Sequence, residues 1–350
     1  MTINCPSLAI PWNILKQCRR SAQFSGILSL CVISLLGIQS GQAQNSTWNG
    51  GGNPGELFWS VKQNWAANSV PAANDNLFFD GNAKLTNTNN TVPATTYNSI
   101  TFNSGAGAFV LGGNQITLGG NVVNNAATTV QTIDLALALS GNRQFNSVGS
   151  SSVLQVNGII SGGFGIEKTG AGTLTLGGAN SYTGSTTITS GTLLMGGSNV
   201  LPNSAVVLAG GTLSAPASGS NSDTTGALSM TASSVIDMGA GTNSLTFASL
   251  GSLIGTLSIW NWTGTANTIN GTDQLNFTTG TANATFSNIS FYSGAGSGLI
   301  GTGKMLADGG TFELVPVPEP GALFAGLALL APLAWRERRH WMRCRDARVS

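Results

Sequence analysis

Residues 158–196, GIISGGFGIEKTGAGTLTLGGANSYTGSTTITSGTLLMG, decide the fold of this chain. Apolar and polar residues alternate in this stretch, as in residues 173–176 (TLTL). A period of two, with glycine and asparagine between the segments, predicts short strands joined by tight turns. The triplet Gly-Thr-Leu recurs at spacings of 19 and 20 residues, starting at Gly172, Gly191 and Gly211. This period fits one coil of a parallel β-solenoid, in which each leucine points inward and each glycine permits a corner.

Residues 170–196 resemble the autotransporter-associated β-strand repeat of bacterial surface proteins, and residues 201–215 resemble the coil that usually follows it. The matching positions are mostly glycine, threonine and leucine: Gly170, Gly172, Thr173, Leu174, Leu176, Gly178, Asn180, Tyr182, Thr183, Gly184, Thr187, Gly191, Thr192 and Leu193. The resemblance implies a β-solenoid fold and a surface location, and it supplies no reaction.

Charged residues are few, at 8% of the chain, and the regular spacing of apolar residues argues against disorder. Residues 44–315 carry five basic side chains and ten carboxylates, which gives this part a net charge of −5. A mildly acidic body argues against nucleic acid as a partner.

Cysteine and histidine are confined to the ends of the chain, where Cys5, Cys18, Cys31, Cys344 and His340 lie. Residues 44–315 therefore have no disulfide, no thiol nucleophile and no histidine for a catalytic triad or a zinc site.

Two kinds of chemistry remain open without cysteine or histidine. A glycosidase needs only two carboxylates, but the ten in the body are scattered. A polysaccharide lyase of the β-helix type needs clustered acids together with an arginine or lysine base, and here Arg143 stands alone. Residues 162–167 resemble a calcium-binding nonapeptide repeat, but a single copy supplies half a site. We therefore expect no enzyme, no cofactor and no metal, with a polysaccharide-binding or polysaccharide-degrading β-helix enzyme as the alternative.

The N-terminal segment has the order of a secretory signal. Basic residues precede an apolar run at 24–38, and small and polar residues follow up to Ala43. We expect a signal peptide over residues 1–43, cleaved after Ala43 by signal peptidase. The alternative is a membrane anchor, for which a run of about 15 residues is short.

In the C-terminal segment, residues 316–340, an extended motif precedes an apolar run at 322–335, and an arginine cluster follows. The residues concerned are Val317, Pro318, Glu319, Pro320, Gly321, Arg336, Arg338 and Arg339. This order resembles the PEP-CTERM sorting signal of Gram-negative bacteria. The resemblance implies processing by an exosortase near residues 318–320. It also implies a transient hold in the inner membrane by a short helix, and delivery to the cell surface or the extracellular polymer. Two features depart from the pattern, namely Pro332 and the basic tail at 341–350, and the alternative is an ordinary tail anchor.

Residues 44–107 are rich in large aromatic side chains, including Trp48, Trp59 and Trp65. They predict an N-terminal cap that seals the first open edge of the solenoid, with a platform for sugar rings as the alternative. Residues 108–315 then form the β-helix repeat region, with 158–196 as its best repeat.

The complete expectation is an all-β, right-handed parallel β-helix with an N-terminal aromatic cap, flanked by a signal peptide and a short C-terminal membrane helix. At about 20 residues per coil, the body holds on the order of 13 coils. The expected protein is exported through the inner membrane to the cell surface or extracellular matrix, with no catalytic activity. Its role is adhesion, structural coating or association with extracellular polysaccharide.

Overall fold

The alternating sequence forms a parallel β-solenoid in the computed structural model, which describes residues 43–318. The first strands are β1 (Asn45–Trp48), β2 (Asn76–Phe79), β3 (Thr86–Asn89), β4 (Thr95–Tyr97), β5 (Ser99–Phe102), β6 (Val110–Gly113), β7 (Ile116–Leu118), β8 (Val122–Asn124), β9 (Val130–Ile133), β10 (Leu137–Leu139), β11 (Arg143–Ser147), β12 (Val153–Val156), β13 (Ile160–Ser161) and β14 (Ile166–Thr169). The others are β15 (Thr173–Leu176), β16 (Thr186–Ile188), β17 (Thr192–Met195), β18 (Val206–Ala209), β19 (Thr212–Ser214), β20 (Ser220–Thr225), β21 (Leu228–Ala232), β22 (Ser234–Asp237), β23 (Thr242–Leu253), β24 (Leu257–Trp260), β25 (Gln274–Thr279), β26 (Thr285–Gly294), β27 (Ser297–Asp308) and β28 (Thr311–Val317). Among the described residues, the only helical element is one 3-10 turn at Lys62–Asn64.

The strands stack on three faces. Face A holds β1, β2, β5, β8, β11, β14, β16, β18, β21 and the end of β23, and face B holds β3, β6, β9, β12, β15, β17, β19, β22, β24 and β26. Face C begins with β4, β7, β10 and β13. On face A, from β2 to β23, strand partners lie 20 to 23 residues apart over eight successive turns. The predicted parallel solenoid is therefore confirmed.

The inward leucine ladder is also confirmed. Leu174 pairs in register with Leu154 on one side and Leu193 on the other, and Leu193 pairs with Leu213. All four side chains are fully buried, whereas Thr173 is half-buried on the outer side. The period of two thus divides each strand into a core face and an outer face.

The expected number of about 13 coils is too high, because both ends depart from the regular turn. The first turn takes 31 residues, since Asn45 pairs with Asn76. At the other end, β26, β27 and β28 pair in antiparallel fashion, and β28 also pairs antiparallel to β25. The last of these strands, β28, reaches Val317.

The N-terminal tryptophans form one buried cluster. Trp65 packs edge-on against Trp48 and Trp59, with ring centroids 5.3 and 6.0 Å apart, and Phe79 and Tyr97 complete the cluster. All five rings are at most 1% exposed. In this structure, the three tryptophans therefore offer no face for a sugar ring, and they fill the core of the first turns.

The predicted location requires a correction at its membrane anchor. Across residues 43–318, no helix is long and apolar enough to cross a membrane, so the expected location with a transient C-terminal anchor is not upheld. Residues 322–335, which were assigned to that helix, lie outside the described residues, as do residues 1–42 of the predicted signal peptide.

Candidate binding surface

Three of the predicted processing residues lie in the described part of the chain. Ala43 is exposed, two residues before β1 begins. Val317 ends β28 opposite Thr302 of β27, and Pro318 follows it outside the strand. The remaining predicted residues fall outside the described range: Glu319, Pro320, Gly321, Arg336, Arg338 and Arg339.

A column of polar side chains runs along the outer side of face A, with one residue from each of six successive turns; five of them lie on strands, and Asn121 immediately precedes β8. We call it the polar ladder, and its members are Asn45, Asn76, Ser99, Asn121, Gln144 and Glu167. Asn76 Nδ2 donates to Asn45 Oδ1 at 3.0 Å, and Ser99 Oγ donates to Asn76 Oδ1 at 3.0 Å. Further along, Gln144 Nε2 donates to Glu167 Oε2 at 3.0 Å. The ladder is a preorganised row of donors and acceptors on the solvent side of the solenoid.

Lys168 lies inside the solenoid, at a corner that glycine makes possible. Its ammonium donates to the carbonyl oxygens of Thr169, Gly170 and Ser190, with Nζ–O distances of 2.7, 2.8 and 3.2 Å. Gly191 has a φ of +64°, and a Cβ there would overlap the carbonyl oxygens of the turn below. The Lys168 side chain is fully buried, and burial lowers its pKa to about 8.

Lys168→Met is expected to lower the free energy of unfolding by about 1–2 kcal/mol. Three carbonyl oxygens, those of Thr169, Gly170 and Ser190, lose a charged donor, and this loss outweighs the relief of the cost of burying an ammonium. Urea denaturation at pH 7 measures the change. Lys62→Met, at an exposed lysine, is the control and should change stability by less than about 0.5 kcal/mol. A Lys168→Met protein as stable as the wild type would show that the corner does not need the ammonium.

Four of the ten carboxylates of the body are buried: Asp75, Asp223, Asp273 and Glu313. Each accepts hydrogen bonds from backbone N–H groups, such as Leu201 N to Asp223 Oδ1 at 2.9 Å and Asn270 N to Glu313 Oε2 at 2.6 Å. In residues 43–318, no three histidine, cysteine or acidic side chains lie close enough together to hold a metal ion. These four carboxylates therefore fix loops and corners. Their burial could not be predicted from the sequence, because the acidic residues are scattered along it.

Comparison with known families gives one match, which lies within the solenoid. Residues 166–195 match the model described as the passenger-associated-transport-repeat. The matched segment spans β14 to β17 and contains two of the three Gly-Thr-Leu triplets, those that start at Gly172 and Gly191. Comparisons with curated proteins and with solved structures gave no match. The repeat resemblance is confirmed over this segment, and the repeat forms a turn of a parallel β-solenoid.

Proposed function

We propose that this chain is an exported, non-catalytic β-solenoid protein of the cell surface, which acts through its outer surface. The role we propose is adhesion, structural coating or association with extracellular polysaccharide. The observation that carries the proposal is the position of the passenger-type repeat, residues 166–195, in the middle of a stack whose outer side presents the polar ladder. Repeat solenoids use such extended surfaces for binding.

Export and maturation are part of the proposal. Signal peptidase cuts after Ala43, and an exosortase processes the chain near residues 318–320. The strand boundaries support both cuts, because β1 begins at Asn45 and β28 ends at Val317. Either cleavage would fall just outside the paired strands and leave the solenoid intact.

The surface role is tested by labelling intact cells with an antibody raised against the full chain. We expect labelling without permeabilisation, and we expect the protein to copurify with the extracellular polymer. A parallel assay for newly formed reducing ends on that polymer should show none. Labelling that requires permeabilised cells would contradict the surface role, and release of reducing ends would favour the enzyme instead.

The mature C-terminus is expected near residues 318–320. Mass spectrometry of the surface-labelled protein measures it directly. Replacing Pro318, Glu319 and Pro320 together with alanine should leave the full-length chain uncut, because the motif proposed for recognition is gone. Pro316→Ala, inside β28, is the matched control and should be processed normally. A surface form that ends at Ser350 would contradict the exosortase proposal.

A further inference from the structure

We propose that the outer side of the solenoid, near its C-terminal end, binds a neutral β-linked polysaccharide. The site is formed by Asp237, Trp260, Tyr292 and Leu299, which we call the aromatic row. This inference rests on the proposed function, because it names a ligand class and a binding site for a surface solenoid.

The two aromatic side chains of the row project outward from neighbouring strands. β24 and β26 pair in parallel, with Ile259 opposite Phe291. Ile259 and Phe291 are fully buried, so the residues that follow them, Trp260 and Tyr292, point to the outer side. Both are half-buried. The two side chains therefore project from neighbouring strands on the same outer side.

The row continues over one more strand at each end. Asp237 of β22 pairs in register with Trp260, and Leu299 of β27 pairs with Tyr292. Leu299 is 52% exposed, although it is a large apolar side chain. With adjacent strands about 4.8 Å apart, the four residues make a strip about 14 Å long. A strip of this length accommodates about three sugar residues of an extended chain, at roughly one per spacing between strands.

One edge of the Trp260 ring is covered by the turn between β26 and β27. A Cβ on Gly296 would lie 3.8 Å from Trp260 Cζ2, so the turn approaches that edge with a glycine. Trp260 Nε1, on the same edge, is shielded from solvent and has no hydrogen-bond partner among the described residues. The turn thus fixes the ring, and the part left accessible is carbon surface.

The carboxylate at the end of the row is held in place by its neighbours. Asp237 Oδ1 accepts hydrogen bonds from Asn261 Nδ2 at 2.6 Å and from Gly239 N at 2.9 Å. Both donors bind the same oxygen, and Oδ2 has no protein partner among the described hydrogen bonds. A carboxylate oriented in this way can accept hydrogen bonds from sugar hydroxyls beside the aromatic surface.

This arrangement suits a particular class of ligand. Pyranose rings with equatorial hydroxyls, as in β-linked glucans, have apolar faces of axial C–H groups that stack on aromatic rings, and their hydroxyls form a polar rim. A mostly apolar surface with one placed polar group fixes the orientation of such a ligand. The carboxylate of Asp237 and the net charge of −5 on residues 44–315 disfavour an acidic polymer.

Isothermal titration of the full chain with cellohexaose tests the proposal, and polygalacturonate serves as the acidic comparison. We expect the wild type to bind cellohexaose. The Trp260→Ala/Tyr292→Ala double variant should lose at least about tenfold in affinity, and Trp260→Phe/Tyr292→Phe should retain most of it, because the phenyl rings restore stacking. Phe78→Ala removes an isolated outward aromatic on face A and should bind like the wild type. Thermal melts verify that each variant is folded.

Each contrary result has a distinct meaning. Equal binding by the wild type and the alanine double variant would overturn the site while leaving the surface role intact. A loss of binding in Phe78→Ala would overturn the assignment to the aromatic row. A preference for polygalacturonate would overturn the ligand class, and no binding of cellohexaose by the wild type would overturn the inference altogether. The surface role itself is decided separately, by the labelling of intact cells.

Discussion

Leu174→Ala is expected to lower the free energy of unfolding by about 2–5 kcal/mol. Leu174 is fully buried and lies between Leu154 and Leu193, its register partners on the neighbouring turns. Truncation to alanine removes apolar surface from the core and leaves a cavity between two rigid strands, which can collapse only by shifting both neighbours. Urea denaturation followed by far-ultraviolet circular dichroism measures the change.

The neighbouring residue supplies the control for this prediction. Thr173 lies on the same strand, but its side chain is half-buried on the outer side. Thr173→Ala should therefore cost less than about 0.5 kcal/mol, as is usual for surface positions. Equal costs at Thr173 and Leu174 would contradict the inward and outward assignment of β15, and with it the register of the central turns.

The central turns were predictable because every local signal in them agrees. In residues 173–176, each leucine is followed or preceded by threonine, so the period of two and the preference of threonine for strands point to the same structure. The Gly-Thr-Leu triplet then fixed the spacing of the coils, and the pairing of Thr173 with Thr192 and of Thr192 with Thr212 follows that spacing.

The C-terminal end was not predictable in the same way, because its strands lack that pattern. β27, at Ser297–Asp308, is rich in glycine and shows little alternation of apolar and polar residues, so the sequence did not predict a long antiparallel strand.

The tryptophans show a second feature that the sequence alone does not predict. Trp48 and Trp260 are equally aromatic, but strand register buries the first and turns the second outward. The aromatic row joins residues up to 62 positions apart, which no local pattern connects.

The buried carboxylates lead to a prediction about pH. Burial raises the pKa of Asp223 to about 6 and that of Glu313 to about 7, from ordinary values of 3.8 and 4.5. Backbone N–H groups at both sites oppose the shift but do not cancel it. Glu313 Oε1 is buried without a hydrogen-bond partner among the described residues, which adds to the cost of keeping this group ionised.

The direction of the pH effect follows from these shifts. Both groups bind a proton more tightly in the folded protein than in the unfolded chain. Their stabilising contribution is therefore complete below about pH 4 and is lost as the pH rises through 6 and 7. Each shift corresponds to at most about 3 kcal/mol. Lys168, whose pKa is lowered to about 8, changes the free energy of unfolding mainly above pH 8. A scan from pH 4 to pH 7.5 therefore reports mainly on the two carboxyl groups.

Asp223→Asn should raise the free energy of unfolding at pH 7, by at most about 3 kcal/mol, and remove the Asp223 share of the pH dependence. An amide keeps an acceptor for Leu201 N. Its NH2 group takes the place of Asp223 Oδ2, which accepts from Asn221 Nδ2 at 3.2 Å, so the Asn221 amide has to turn over and present its buried Oδ1, which lacks a partner among the described residues. Asn180 already fills the corresponding role on an earlier turn, where its Oδ1 accepts from a backbone N–H and its Nδ2 donates to a backbone carbonyl.

Urea denaturation of the wild type, Asp223→Asn and Glu313→Gln across this pH range measures the effect. Each substitution should reduce the decrease in the free energy of unfolding between pH 4 and pH 7.5 by the contribution of the group that it replaces. Asp134→Asn, at an exposed carboxylate, is the matched control and should reproduce the wild-type profile. Wild-type stability that rises from pH 4 to pH 7.5 would contradict the prediction, since it would mean that the folded protein stabilises the ionised forms of Asp223 and Glu313.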